Sequence, residues 1–352
     1  MKVWNTWGPV ENVALTVFKT WSTSDISNFA NWGNYVLFPF FIPCMMAIDK
    51  NLRASMLLGS FLMMFGAGIR CLLLLEPDLS ETVFTVLCHV CACLNGVSGI
   101  LFCSAPPVIS ATWFPPEERV TATSIGQMFN GLGNGVSFLL ARLFVWSSGH
   151  DSSNGVNCQG QDNDDGVNNT HSADKALLRG EINNYLLSLA IPPVVFFLCI
   201  LLYFPSKPPT PPSVSAMCQD DRPSLLAATR SLLRTPAAWL LVTVTAVSQS
   251  VPGTWAAMMV TNMSRLQVGG QCLSEQWIDV LAMVSSTVCT CMAILAARLT
   301  DTLRGHMKVS IMTLLILATA TFTALSLVSL KVHHINVLPL LPPHMKYFRS
   351  FR

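Results

Sequence analysis

Eight long apolar windows dominate this chain: Ile26–Ile48, Ala54–Leu75, Thr82–Ala105, Thr121–Trp146, Tyr185–Phe204, Pro236–Val260, Trp277–Leu299 and Val309–Leu330. Each is close to the ~20 residues that carry a helix across a bilayer core. Inside lipid no water can satisfy a backbone N–H or C=O, so a spanning segment is a helix or part of a closed barrel. The windows lack the strict alternation of barrel strands, which leaves helices. Composition agrees, with 51% hydrophobic and only 11% charged residues. A soluble domain carries about 25% charged residues, so these charges cannot cover a soluble surface. A net charge of +2 also excludes a strongly basic nucleic-acid binder. The expected fold is all-α, a polytopic membrane protein of about nine helices.

The ends differ from the middle. Met1–Leu15 carries Trp4, Trp7 and Pro9 and is too short to span alone. It has no apolar core of about 7–15 residues behind a basic start, so it is no signal peptide. It reads as the outer part of a first, partial helix. Residues 331–352 form a short, basic, proline-containing tail.

Orientation follows from the excess of Lys and Arg in cytosolic loops. Placing the loop after Ile48 inside puts Lys50, Arg53, Arg119, Lys207, Arg222, Arg230, Arg234, Arg298, Arg304 and Lys308 on the cytosolic side. The other side holds Lys19, Lys175, Arg179 and Arg265. The sequons at Asn168 and Asn262 fall on that second side and are the expected glycosylation sites. Cys158 and Cys272 lie there too and are candidates for pairing, although the sequence fixes no distance between them.

No HExxH, GxSxG, P-loop or dinucleotide fingerprint is present, so no enzyme is expected. The run Cys88-His89-Val90-Cys91-Ala92-Cys93 would spread around a helix and has no second ligand pair, so neither metal nor cofactor is expected. Gly126–Gly135 sits inside an apolar window and reads as close helix packing rather than a phosphate cradle. The prolines of Lys207–Pro212 read as a stiff linker.

Two cytosolic loops repeat one pattern. Ile48-Asp49-Lys50-Asn51-Leu52-Arg53 and Thr300-Asp301-Thr302-Leu303-Arg304 each place an Asp at a helix end with Arg a few residues on. Such charges suit an ion-paired latch that releases when helix bundles rock, so Asp49, Lys50, Arg53, Asp301 and Arg304 are candidate gating residues. The loops resemble the short D-[RK]-x-G-[RK] loop of the major facilitator superfamily, with Leu52 standing where that pattern has glycine. Val3-Trp4-Asn5-Thr6-Trp7-Gly8-Pro9, Asn95-Gly96, Thr112-Trp113-Phe114, Glu118-Arg119 and Tyr203-Phe204-Pro205 with the proline run behind it are similar to solute carrier family 49, the feline leukemia virus subgroup C receptor-related family. The likeness covers about residues 1–330.

That resemblance implies a secondary carrier of twelve helices in two halves, working by alternating access. It divides the chain into an N-terminal half at 1–204, a cytosolic linker at 205–235 and a partial C-terminal half at 236–330. On that comparison the last three helices are absent and the chain is truncated at both ends. The implied solute is a small organic metabolite or vitamin, pyridoxine-like in one branch and choline, ethanolamine or haem in others. The same branch implies proton coupling and a lysosomal membrane, with the plasma membrane as the alternative. The implied partners are therefore the solute, the lipid bilayer and protons. A non-transporting regulatory or receptor-like membrane partner is the rival reading.

Carriers bind solute near the midplane, where polar helix positions face a cavity. The aromatic and amide groups placed to do so are Trp4, Asn5 and Trp7, Trp32 and Tyr35, Asn95, Gln127, Asn130 and Asn134, and Gln249 and Trp255. Any buried amide in lipid must find a partner, so each is either helix glue or a ligand group. Together they suit a small, flat, polar or cationic solute. The ionisable groups inside the windows are Arg70, His89 and Arg142. The arginines are placed to snorkel, and His89 is the candidate proton site.

Overall fold

The structure is a computed structural model that describes residues 6–72, 80–145, 170–205, 208, 225–257, 267–268, 271–272, 275–302 and 307–337. A 3-10 turn at Gly8–Val10 leads into α1 (Glu11–Val17). There follow α2 (Thr23–Lys50), α3 (Leu52–Arg70), α4 (Glu81–Trp113), α5 (Arg119–Val145) and α6 (Thr170–Tyr203). Then come α7 (Leu225–Leu233), α8 (Pro236–Ala257), α9 (Glu275–Thr302) and α10 (Met307–Val337). A two-residue antiparallel ladder, Gln267–Val268 against Gln271–Cys272, is the one strand pairing among the described residues.

The described residues of all eight apolar windows fall on helices, apart from Cys71 and Phe204 just past the ends of α3 and α6. Among the described residues, four helical stretches are long and apolar enough to cross a membrane by themselves: Leu52–Arg70, Glu81–Trp113, Leu177–Tyr203 and Val280–Thr300. A fifth is added if Ala227–Leu233 and Pro236–Ser248, bent by 83°, count as one. The helices α2 and α5 have the length, at 28 and 27 residues. Asn28, Asn31 and Asn34 dilute the first, and Gln127, Asn130, Asn134 and several glycines dilute the second.

Several boundaries move. The fourth helix runs past Ala105 through Pro106 and Pro107 to Trp113. The sixth begins at Thr170, well before Tyr185, because polar residues extend it beyond the apolar stretch. A helix lies within the expected linker, at Leu225–Leu233. The last helix continues to Val337, into the expected tail. The first helix is only Glu11–Val17, preceded by the turn that Pro9 starts.

Contacts fix the helix directions. Trp21 meets Thr85, Trp32 meets His89 and Gly33 meets Gly96, so α2 and α4 run parallel. Gly59 meets Leu101 and Gly66 meets Asn95, so α3 is antiparallel to α4. Gly131 meets Thr290 and Gly135 meets Ser286, so α9 is antiparallel to α5. Lys50, Trp113, Arg119, Tyr203 and Thr302 therefore share one end, which the loop charges make cytosolic.

Small residues make these crossings close. A Cβ on Gly96 would stand 2.4 Å from Val36 Cγ2 and 2.9 Å from Gly33 Cα. Ser98 Oγ donates to the Gly59 carbonyl at 2.7 Å across the α3–α4 crossing. At the outer end Trp7, Phe18, Trp21, Phe29 and Phe84 form a buried aromatic cluster. Phe18 and Trp21 stack at 4.4 Å, Trp7 and Trp21 meet edge-on at 4.8 Å, and Trp21 Nε1 donates to Thr85 Oγ1 at 2.7 Å. Cys44, Ile48, Met56, Leu101 and Ile200 close the inner end.

Gly96→Leu should push α2 from α4, with about 1–3 kcal/mol of overpacking cost. A fall in the thermal unfolding midpoint of the detergent-solubilised protein reports it, whereas Gly68→Leu, with nothing within 4 Å of its Cβ position, should unfold like wild type.

Candidate solute site

Helix α2 carries the aromatic and amide groups of the α2–α4 face. The Trp32 indole Nε1–H donates to His89 Nδ1 at 2.7 Å, which leaves the ring proton of a neutral His89 on Nε2. Tyr35 stands edge-on to Trp32 at 5.6 Å between centroids. Phe29 lies 4.7 Å from the His89 ring. Asn31 and Asn34 follow the same helix, the Asn34 amide donating to Asn31 Oδ1 at 3.4 Å. Tyr35 is 56% exposed while Trp32 is half-buried, so the cluster has an open flank. At the start of α2, Asp25 Oδ2 accepts from the Ser22 hydroxyl and backbone N–H, at 2.7 and 2.8 Å. Those bonds hold its carboxyl below the ordinary range.

Asn95, one crossing deeper, is buried. Its Nδ2 donates to Cys91 Sγ at 3.2 Å, and its Oδ1 lies 3.3 Å from where a Cβ on Gly66 would stand. Oδ1 has no hydrogen-bond partner, so this side chain reserves an acceptor within the helix seam.

Gln127 has a more specific role. Pro107 has no N–H, so the Cys103 carbonyl four residues earlier loses its helical donor. Gln127 Nε2 reaches from α5 and donates to that carbonyl at 2.9 Å. The Pro106 ring lies 3.0 Å from where a Cβ on Gly126 would stand, which is how the two helices come close enough. Gln127 therefore acts as glue in this conformation.

Trp4, Asn5, Arg304, Asn168 and Asn262 lie outside the described residues, as does Cys158. Asn130 and Asn134 lie one turn apart on α5, Gln249 and Trp255 on α8, and Asp301 on α9, with their side chains outside the description. Cys272 sits in the short ladder, its side chain likewise undescribed. The structure thus brings together Trp32 and His89, and places Asn95 and Gln127 in neighbouring seams. Trp7 is only 3% exposed and packs the closed outer end rather than lining a path.

At the cytosolic end Asp49 and Lys50 are exposed in the last turn of α2. Arg53 Nη2 donates to the Leu201 carbonyl at 3.4 Å, capping the end of α6. The antiparallel course of α9 puts Asp301 at the same end as Asp49. Arg119 caps α4 in the same manner, Nε to the Phe114 carbonyl and Nη2 to that of Ala111, both at 3.3 Å.

Arg70 corrects an expectation. It does not snorkel but is 4% exposed and donates to Thr6 Oγ1, while the Tyr185 hydroxyl donates to the Thr6 carbonyl at 2.9 Å. An arginine at a helix end was legible in the sequence. Its partner was not, because it sits 64 residues away. Among the described residues no three His, Cys, Asp or Glu side chains converge as metal ligands.

Packed apolar helices with large exposed hydrophobic faces, polar groups in their seams and an excess of Lys and Arg in the loops at one end define an integral multi-pass membrane protein. Residues 29–341 match the Major Facilitator Superfamily, and the chain belongs to it. It is 30% identical over 306 residues to a solute carrier family 49 member 4 homolog of Xenopus tropicalis, covering 87% of this chain and 61% of that protein. The Xenopus laevis homolog is 30% identical over 322 residues, covering 92% and 64%. The choline/ethanolamine transporter FLVCR1 of Mus musculus is 28% identical over 200 residues, covering 55% and 32%. The chain spans less than two thirds of the length of these relatives. The superfamily and these relatives are carriers rather than enzymes.

A double-mutant cycle of Trp32→Phe and His89→Leu should give a coupling of about 1 kcal/mol, the worth of one part-buried hydrogen bond. Unfolding midpoints of the four proteins measure it, and additivity would show that the pair contributes nothing.

Proposed function

We propose that the protein is a secondary transporter of a small organic metabolite, moved by alternating access. The observation that carries this reading is the Trp32–His89–Tyr35 cluster, an aromatic corner with hydrogen-bonding capacity on a helix of a major facilitator chain. Aromatic faces attract flat or cationic groups, and amides orient them. The solute class is thus a pyridoxine-like vitamin or a small amine such as choline or ethanolamine. The mouse relative, a choline/ethanolamine transporter, supports the second. Trp32, Asn95, Asn130, Gln249 and Trp255 are the proposed solute contacts, with Trp4 and Asn5 at the first helix. Gln127 joins them when its bond to Cys103 opens.

His89 is the proposed proton site. Its Nδ1 accepts from Trp32, so protonation there sets two donors against each other and breaks the tie between α2 and α4. The loops around Asp49, Lys50, Arg53, Asp301 and Arg304 are proposed to latch the cytosolic face. The lysosomal membrane is the proposed location, with a lumenal side bearing glycans at Asn168 and Asn262.

Purified protein in liposomes should accumulate radiolabelled pyridoxine or choline above protein-free liposomes, faster under an imposed pH gradient. Trp32→Ala should cut the rate about tenfold, equivalent to about 1.4 kcal/mol of lost interaction. His89→Gln should remove the gradient's effect while uptake persists. Uptake of neither solute, with or without the gradient, would overturn the transporter reading.

A further inference from the structure

Helix α7 is left without a role by transport. It is nine residues long and joins α8 through a bend of 83°. The corner is built rather than loose. Arg234 and Thr235 donate their N–H groups to the carbonyls of Ser231 and Leu232, at 3.2 and 3.0 Å. Thr235 Oγ1 donates to the Ser231 carbonyl at 3.0 Å. The Trp239 indole reaches back from α8 and donates to the Leu233 carbonyl at 2.9 Å. With α8 crossing the membrane, a bend near a right angle lays α7 along the bilayer surface. The cytosolic end is the correct one, because α8 leads through the short ladder to the outer start of α9.

The sequence of α7 fits that position. Leucine pairs recur at 225–226 and 232–233, a spacing of seven residues that keeps them on one side of a helix. Arg234 stands away from them, and Arg230, one turn before it, lies at the edge of their face. Leu232, Leu233 and Trp239 are 58%, 55% and 54% exposed, so the described residues leave them largely uncovered, and both arginines are exposed. Arg230 and Arg234 are the only charged residues between Leu225 and Ala257, and Asp220, Asp221 and Arg222 precede that stretch in the sequence. Exposed leucines, cations at and beyond the edge of their face and an aromatic hinge match a cytosolic leaflet with anionic head groups.

We propose that α7 is a membrane-surface helix that docks on anionic lipid of the cytosolic leaflet, with Leu232 and Leu233 seated among the acyl chains and Arg230 and Arg234 on lipid phosphates or carboxylates. Hydrogen exchange of the full chain in nanodiscs tests this without any transport measurement. Amides 227–235 should exchange about tenfold more slowly in phosphatidylcholine with phosphatidylserine than in phosphatidylcholine alone. High salt and Arg230→Gln/Arg234→Gln should abolish the difference, while Arg230→Lys/Arg234→Lys should keep it. Protection of Glu81–Trp113 reports that each variant is folded. Equal exchange in the two bilayers would overturn the proposal, and so would protection that persists in the glutamine variant, the result expected if protein covers the helix.

Discussion

A polar group placed in lipid must find its partner within the protein, and that requirement shapes much of this structure. Pro107 removes a donor from α4, and Gln127 on the next helix supplies one to the Cys103 carbonyl. The ends of α4 and α6 leave carbonyls unpaired, and Arg119 and Arg53 cap them. Arg70 is buried at the outer end of α3 because a hydroxyl from the start of the chain meets it. Each repair joins two segments, so the same bonds that satisfy the backbone and side chains also order the helices.

Close approach makes those bonds possible. Helices in lipid gain nothing from excluding water between them, so association rests on packing and on polar contacts. Glycine at 96 brings α2 and α4 together, and that proximity lets Trp32 reach His89. Glycine at 126 admits the Pro106 ring, and that places Gln127 beside the Cys103 carbonyl. Glycine at 135 meets Ser286 at 3.1 Å from its Cβ position, which seats α9 on α5.

Helix existence was readable because the bilayer sets a length that a sequence either meets or misses. Boundaries were less so. Proline normally ends a helix, yet Pro106 and Pro107 lie within α4, since a neighbouring side chain can replace a lost donor. The short helix α7 was concealed by its proline-rich approach and by two arginines that read as linker charge. At the candidate site, Trp32 and His89 stood out singly. Their bond did not, because 57 residues separate them and only the parallel course of α2 and α4 aligns them. Arg70 was misjudged for a related reason: snorkelling is the cheaper solution for an arginine near a helix end unless a distant segment folds over it.

The chemistry at the two ends differs, and that bears on how such a bundle could move. The outer end is closed by aromatic rings packed edge-on and stacked, with the Arg70–Thr6–Tyr185 contacts beside them. Interdigitated rings of this kind have to separate as a set. At the cytosolic end arginine-to-carbonyl bonds of 3.3 to 3.4 Å accompany the apolar cluster around Ile48 and Leu101, beside exposed Asp49 and Lys50. Long flexible side chains can exchange such bonds for water one at a time. The bond between Trp32 and His89 sits between these regimes, one donor and one acceptor on two parallel helices. Phe29 joins that pair to the ring cluster, packing on His89 at 4.7 Å and on Trp21 at 5.1 Å, so the bond and the cluster respond together to any displacement of α2.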